Sequence, residues 1–495
     1  MTNSHKTRGE NYFLLTLDRA RGVPLRLGSE QPVRAKGLSN LLISARRWAA
    51  YWLMAASLAA SVLLQAGVYP RQWEWSALGV SVAAILAVSA ASHRAPGDKW
   101  GFGVLGVVLA WVTFQVVPLP PFVVARLSPG HWNAVAAVRA ATGSASEAWA
   151  ALSVAPSVTI ERLLDVIPAV AAFVAAREMA WWWRDRIWIV TAPVVGVAFF
   201  EGLLRIVQLY FGRAADAGAG LGAGTYANHD HFAGLLEMAF PVAVALAISA
   251  WRKHAAEDNQ TLGPILRIVL LLAICACLLT GIVVSLSRMG FLSTLAAAGF
   301  TMLIIPLSKG KTDGARPGWR GAWRWVVPLA LPLSILILLP SRELVIRFAD
   351  LASTPDLSKE GRVEIWRDTL QLIGDNQWVG CGLGAYEHCF YRYQTVDPDG
   401  TVNFAHNDYL QIVAELGIPC SLLVGVLAGW IVARTLAVVL WRRGARNWEL
   451  AVGLFASLAA IGLHSLADFN LYVPANALAF AWLSGIAVSP GLRRS

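Results

Sequence analysis

The feature that most constrains this chain is a series of long apolar runs. They fall at roughly 48–68, 75–92, 100–117, 158–180, 187–210, 231–250, 265–285, 289–307, 323–340, 411–440, 449–466 and 472–489. Each is close to the roughly 20 residues that an α-helix needs to cross the hydrocarbon core of a bilayer. Charged residues make up only 15% of the chain, against about 25% in an ordinary soluble domain. The sequence therefore predicts an all-α membrane protein, a polytopic bundle of about 12 transmembrane helices.

Basic residues fall in the tail and in alternate loops between these runs. Residues 1–47 contain nine Lys and Arg residues and resemble a cytoplasmic tail, and every loop predicted on the same side is basic. This distribution follows the positive-inside rule for an even number of spans with both termini in the cytoplasm. It also explains the net charge of +10 by membrane topology, so we predict no nucleic-acid partner.

The predicted organisation has four parts. Residues 1–47 form the basic cytoplasmic tail, 48–340 carry helices 1–9, 341–409 form one large periplasmic loop with short helices, and 410–495 carry helices 10–12 and a short cytoplasmic C-terminus. The large loop is the longest polar stretch outside the tail, and we expect the chemistry to lie in and around it.

The loop contains several recognisable segments. Val363, Trp366, Leu370 and Ile373 are spaced as in an amphipathic helix at the membrane surface, with Arg362 at its start. The glycines between 380 and 384 predict a tight turn in which backbone approaches backbone or ligand. Asp397 and Asp399 flank a proline and precede a glycine, which favours a plain turn over a metal site.

The end of the loop leads directly into the next apolar run. Asn407 is a suitable N-cap and Asp408 is favourable in the first helical turn. Capping does not explain His406, which lies just outside the membrane. Cys381 and Cys389 both lie in the loop, and the sequence leaves open whether a disulfide joins them.

Other polar groups lie where a membrane disfavours them. Glu201 and Arg205 are four residues apart and could neutralise each other, whereas His229 and His231, two residues apart, point to different sides of a helix and make a joint metal site improbable. His464 and Asp468 are also four residues apart, so a His held by a carboxylate is predicted. The predicted topology places the following residues near the outer face: Arg205, Asn228, Arg288, Arg362, His406, His464 and Asp468.

Five segments together resemble the O-antigen ligase and polymerase superfamily of bacterial envelope glycan assembly. They are the Ser287–Arg288 pair, GRVEIW from Gly361, the glycine turn from Gly380, AHNDYLQIVAELG from Ala405 and HSLADFNL from His464, within roughly residues 225–490. The resemblance implies an inner-membrane glycosyltransferase that moves a glycan from a polyprenyl (undecaprenyl) diphosphate carrier to a glycan, lipid or protein acceptor at the periplasmic face. It implies no metal, no cofactor and no nucleotide sugar.

The resemblance also implies roles for individual residues. By this resemblance His406, Arg362 and Arg288 are the expected catalytic residues. The polar residues predicted near the same outer face are expected to bind substrate, namely Arg205, Asn228, Asn407, His464 and Asp468. Arginines suit a diphosphate leaving group, since guanidinium binds its oxygens in bidentate fashion. An imidazole can take the proton of the incoming hydroxyl. Aromatic residues of the loop, Tyr386, Phe390, Tyr391 and Tyr393, are expected to stack against the sugar.

Several alternatives stay open. Within the superfamily, the chain could be an O-antigen or exopolysaccharide polymerase or a protein O-oligosaccharyltransferase instead of a ligase. A polytopic transporter or flippase has a similar span count, but polar residues gathered at one face favour an enzyme. The glycan, the acceptor and the oligomeric state are not determined by the sequence.

Overall fold

A computed structural model of the chain describes residues 31–90, 94–143, 149–211, 222–256, 261–305, 361–395 and 400–493. The predicted span 323–340, the first part of the predicted loop (341–360), the turn at 397–399 and residues 1–30 of the tail lie outside these ranges. The chain divides into two compact units, Met1–Leu42 and Ile43–Ser495. The start of the first helix is the described part of the first unit, and the site lies in the second.

The described residues form α-helices and short 3₁₀ turns, with no β-strand among them. The helices are α1 Gln31–Leu63, α2 Pro70–Ser89, α3 Lys99–Gln115, α4 Pro121–Leu127, α5 Pro129–Thr142, α6 Pro156–Trp182, α7 Trp188–Phe211, α8 His229–Ala256, α9 Leu262–Ser285, α10 Arg288–Ile304, α11 Arg362–Asp375, α12 Tyr386–Phe390, α13 Asp408–Trp441, α14 Trp448–His464 and α15 Pro474–Val488.

The all-helical prediction is confirmed for the described residues. Each predicted span other than 323–340 falls largely on one helix. Among the described residues, four stretches are long and apolar enough to cross a membrane by themselves, namely Trp188–Leu209, His229–His254, Leu262–Ser285 and Asp408–Trp441, and four shorter helices there are also apolar. The count of about 12 spans and the periplasmic position of the loop stay predictions.

Helix α8 is the central helix of the bundle and packs against α7, α9, α10 and α14. Close packing depends on small residues, because lipid-embedded helices gain most from intimate contact. A Cβ on Gly453 of α14 would lie 2.7 Å from the carbonyl oxygen of Pro241 in α8. Glycine at this position therefore lets α14 lie close to α8, and both helices contribute residues to the candidate site.

Helix α13 is broken near its start. Gly417 has a φ of 74° and Pro419 follows inside the helix, and a proline removes one helical hydrogen bond. The freed carbonyl of Glu415 accepts hydrogen bonds from Gly382 N at 2.9 Å and from Gln115 Nε2 at 2.9 Å. Neighbouring segments thus satisfy the break, as the apolar interior of a membrane protein requires.

The glycine turn is the segment that fills this break, in agreement with the predicted close approach of backbone to backbone. Gly380, Gly382 and Gly384 all have positive φ, between 68° and 105°. Cys381 N donates to the carbonyl of Ala414 at 2.9 Å, and a Cβ on Gly380 would collide with the Glu415 carbonyl.

Replacing Gly380 by alanine is therefore expected to cost about 2–4 kcal/mol of stability, since the side chain forces a left-handed residue and overpacks a backbone contact. Gly374→Ala is the matched control, because a Cβ there meets nothing within 4 Å. The thermal midpoint of detergent-purified protein should fall clearly for Gly380→Ala and stay unchanged or rise for Gly374→Ala. Equal midpoints would contradict the proposed backbone contact.

The amphipathic helix predicted in the loop forms as α11, and its position at the membrane surface stays a prediction. Val363 is 37% exposed and Leu370 59% exposed. The buried face includes the polar residues Asp368 and Thr369, whose side chains form hydrogen bonds within the loop. Thr369 Oγ1 is hydrogen-bonded to Tyr386 Oη at 2.7 Å. Apolar spacing could not reveal this face, because its polar residues are buried with their own partners.

Candidate active site

Asp468 is the centre of a polar cluster at the end of α14. Its side chain is 2% exposed. His231 Nε2 lies 3.4 Å from Asp468 Oδ2, His406 Nδ1 lies 3.8 Å from Oδ1, and His464 Nε2 lies 4.0 Å from Oδ2. We call these four residues the Asp468 cluster. They come from α8, the loop, α14 and the turn after it, so packing of the bundle assembles the cluster.

The charge of Asp468 follows from this arrangement. Burial by itself would raise the pKa of its carboxyl, but the imidazoles of His231 and His406 hold that pKa well below its ordinary value. Asn470 Nδ2 also donates to Oδ2 at 3.2 Å. Asp468 is therefore a fixed negative charge at neutral pH, directed at three imidazoles.

His406 has a strained backbone. Its φ is 48°, in the left-handed region, which costs a residue with a Cβ about 1–2 kcal/mol. Its side chain is 33% exposed, the largest exposure in the Asp468 cluster. The ring packs edge-on against Phe469 at a centroid distance of 5.0 Å. Such strain persists where surrounding contacts impose it, and it is found preferentially at functional sites.

Hydrogen bonds on both sides of His406 impose this conformation. Ala405 N donates to Gln411 Oε1 at 2.7 Å, and the Ala405 carbonyl accepts from Trp366 Nε1 at 2.9 Å. On the other side, Asn407 Oδ1 accepts from the backbone of Tyr409 and Leu410 at 3.0 and 3.1 Å, which makes Asn407 the predicted N-cap. Its Nδ2 donates to the Leu466 carbonyl at 2.9 Å.

Asp408 and Arg362 hold the turn that carries Asp468. Asp408 Oδ2 accepts from Ser465 Oγ at 2.6 Å, and Asp408 N donates to the Ser465 carbonyl at 3.0 Å. Arg362 Nη1 donates to the Ala467 carbonyl at 2.7 Å, while its Nη2 lies 3.9 Å from Asp230 Oδ2. The predicted catalytic arginine therefore lies beside Asp468, with one of its nitrogens committed to the protein backbone.

His464 has a closer carboxylate partner than the predicted one. Its Nδ1 lies 3.1 Å from Glu237 Oε1, against 4.0 Å from its Nε2 to Asp468. Ser293 Oγ of α10 donates to the other oxygen of Glu237. The side chains of His464 and Glu237 are both completely buried. His464 therefore connects α8 and α14 in this conformation, and its predicted substrate contact stays a prediction.

Arg288 is at the start of α10, where Ser287 Oγ caps the helix by accepting from Gly290 N at 3.1 Å. A Cβ on Gly290 would lie 2.6 Å from Ala233 Cβ. The first turn of α10 therefore packs against the first turns of α8, which carry Asp230 and His231. The arginine itself is exposed at this end of the helix.

The two remaining predicted residues lie elsewhere. Asn228 Oδ1 accepts from Asp230 N at 2.8 Å, so it caps the start of α8. Arg205 makes no ion pair with Glu201 in the described structure; instead Glu201 accepts from Thr225 N at 2.9 Å and from Thr225 Oγ1 at 2.8 Å. No described contact connects Arg205 to the Asp468 cluster. The substrate contacts predicted for Asn228 and Arg205 stay predictions.

Asp230, His231 and Glu237 are site residues that the sequence prediction did not include. The Asn228-His229-Asp230-His231 segment was the available signal, since it places ionisable groups at the start of an apolar helix. His231 contacts Asp468, whereas His229 Nε2 lies 3.8 Å from Asp230. Glu237 had no signal beyond being a carboxylate inside an apolar run.

The aromatic residues of the loop have two different environments. Tyr386 and Phe390 are completely buried and stack on each other at a centroid distance of 4.9 Å, so they form the core of the loop. Phe404 and Phe469 instead stack at 4.1 Å beside His406, where both are partly exposed. The structure also has Cys381 and Cys389 as free thiols, with no disulfide between them.

Comparison with family models gives a match over part of the chain. Residues 273–425, roughly a third of the chain, match the family model described as O-antigen ligase. This segment is therefore similar to the O-antigen ligase family. The matched segment contains Arg288, Arg362 and His406, whereas His231, His464 and Asp468 lie outside it. A comparison with curated proteins found no match. This similarity supports a function of the ligase or polymerase type in general, and the apolar helices support a membrane protein.

Proposed function

We propose that this protein is a member of the O-antigen ligase family that transfers a glycan from a polyprenyl diphosphate carrier to an acceptor hydroxyl at the periplasmic face of the bacterial inner membrane. The observation that carries the proposal is the strained, partly exposed His406, whose Nδ1 faces the buried carboxylate of Asp468. A base oriented by a buried carboxylate suits the deprotonation of a hydroxyl.

His406 acts as the general base. Because Nδ1 faces Asp468, the imidazole keeps Nε2 to accept the proton of the acceptor hydroxyl. The acceptor oxygen then bonds to the anomeric carbon as the bond from that carbon to the diphosphate oxygen breaks. The polyprenyl diphosphate leaves with the electron pair, and the proton passes from His406 to solvent. Asp468 stabilises the imidazolium that forms.

Arginines stabilise the leaving diphosphate. Arg362 lies at the turn that carries Asp468, and Arg288 is exposed at the start of α10 against the first turns of α8. The positive end of the α10 dipole adds to their effect on an anion. The exposed parts of Phe404 and Phe469 give an apolar surface beside His406 against which a sugar ring can stack.

The decisive test is transfer by purified protein. It should be incubated with a polyprenyl-diphosphate glycan in EDTA without ATP, and with a lipid A core, a second carrier-linked glycan or a protein as acceptor. Transfer to one of these acceptors is expected, and the acceptor used distinguishes ligase, polymerase and oligosaccharyltransferase. Absence of transfer to all three, with translocation of the carrier in proteoliposomes, would instead establish a flippase.

A further inference from the structure

A second polar cluster lies at the end of the bundle opposite to the Asp468 cluster. Helix α13 begins at Asp408 beside the site, and its residues up to Arg434 span about 40 Å of helix. Helix α15 also begins near the site, after Tyr472, and ends at Val488. The far ends of both helices are thus separated from the site by about the thickness of a bilayer core.

Arginines from three segments meet there around two carboxylates. Arg434 of α13 pairs with Asp98, the residue before α3. Arg177 of α6 has a side chain 4% exposed; its Nη1 lies 3.1 Å from Glu178 Oε1, and its Nη2 donates to the Pro96 carbonyl. Each carboxylate therefore already has an arginine partner.

Arg493 brings a third guanidinium to the same place. It follows the 3₁₀ turn Pro490–Leu492, and Ser489 Oγ fixes this turn by donating to the Arg177 carbonyl at 3.1 Å. Burial and the positive charge of Arg434 lower the pKa of Arg493 to about 10. The guanidinium thus stays protonated at neutral pH in an environment that is already positive.

The cluster has more donors than acceptors. Nε of Arg177, Nε of Arg434, and both Nε and Nη2 of Arg493 are buried and have no hydrogen-bond partner in the described part of the chain. The rings of Phe102 and Trp430 lie against Arg177 and Arg434. These rings supply no oxygen acceptor, so the Nε groups of Arg177 and Arg434 stay without a hydrogen-bond partner there. Buried donors of this kind are costly unless an acceptor is supplied.

We propose that Arg177, Arg434 and Arg493 bind a phosphate group, carried by the headgroup of an anionic phospholipid or by free phosphate. A phosphate offers several charged acceptor oxygens, and the planar guanidinium fork binds them in bidentate fashion. Arg94 and Arg442 are exposed nearby and add positive charge. The topology predicted from the basic loops places this end at the cytoplasmic leaflet, whose surface is anionic.

Native mass spectrometry of the detergent-purified full chain tests the lipid source. The protein is titrated with phosphatidylglycerol or, as the zwitterionic comparison, phosphatidylcholine. Arg493→Gln removes one guanidinium group from the cluster. Arg446→Gln is the matched control, because Arg446 forms an exposed ion pair with Asp185 in which the side chains are 56% and 78% exposed. We expect one phosphatidylglycerol to bind about tenfold more weakly to Arg493→Gln than to the wild type and to Arg446→Gln.

A second arm tests free phosphate as the source. Inorganic phosphate is added to lipid-stripped protein, and the thermal midpoint is compared with that in chloride at equal ionic strength. Free phosphate is the ligand if phosphate raises the thermal midpoint of the wild type and of Arg446→Gln but not that of Arg493→Gln, while all three proteins bind lipid equally. If Arg493→Gln aggregates, Arg493→Lys replaces it, because lysine keeps the charge and loses the fork. Equal response of the wild type and the Arg493 variant to both ligands would overturn the proposal.

Discussion

Replacing His406 by alanine is expected to reduce glycan transfer by about 10²- to 10⁴-fold, the usual contribution of a general base. His406 lies between Ala405 and Asn407. The hydrogen bonds that hold these two neighbours do not involve the imidazole of His406. Removal of the imidazole should therefore leave insertion and folding intact, and the cost of the left-handed φ remains because alanine also has a Cβ. The measurement is the initial rate of transfer by purified protein at matched concentration.

His388→Ala is the matched control for this variant. His388 is exposed on α12 of the same loop, so the substitution removes an imidazole from the same region without touching the Asp468 cluster. Its rate should equal that of the wild type. Full transfer by His406→Ala would remove the assignment of His406 as the base, and a parallel loss in His388→Ala would point to a general defect of the loop.

Replacing Asp468 by asparagine is expected to reduce transfer by about 10²- to 10⁴-fold, because a base that loses its orienting carboxylate also loses the stabilisation of its imidazolium. Asparagine keeps the shape but cannot balance the charge of His231 or His406 when these are protonated. Asp375→Asn is the control, since Asp375 is an exposed carboxylate of α11 that accepts from Tyr393 Oη at 2.9 Å. A wild-type rate in Asp468→Asn would contradict the role of Asp468 in orienting His406.

The Asp468 variant also has a distinct pH dependence of stability. The pKa of Asp468 is depressed in the folded chain, so its contribution is fully present above its unfolded value of about 3.9 and is lost as the pH falls through the lower folded value. The thermal midpoint of the wild type should therefore approach that of Asp468→Asn as the pH falls below about 4. A difference that grows as the pH falls below about 4 would contradict the depressed pKa.

Much of the site could be predicted from the sequence because its residues lie at helix ends. Arg362, His406, His464 and Asp468 were predicted at one face from the positions of apolar runs and basic loops. The structure places His406 and His464 next to Asp468 and bonds Arg362 to the preceding residue, Ala467. Asn407 as an N-cap and the close approach of the glycine turn were also predicted, since both are local properties of the backbone.

Contacts between distant segments could not be predicted in this way. The partner of His464 is Glu237 of α8, and the third imidazole on Asp468 is that of His231. Both depend on how α8 packs against α14, which hydropathy does not specify. The buried face of α11 could not be predicted for a similar reason, because the polar residues Asp368 and Thr369 find their partners elsewhere in the loop.

The sequence by itself determined where most of the described helices lie and that Asn407 caps the helix after His406, since apolar runs and capping residues act over a few residues. The functional role of the large loop stays a prediction. Only the tertiary structure decided the backbone conformation of His406 and its carboxylate partner. Its left-handed backbone is imposed by Gln411 and Trp366 on one side and by Leu466 on the other, and its carboxylate partner lies on the turn after α14. Strain of this kind persists only when packed segments from several parts of the chain hold it together.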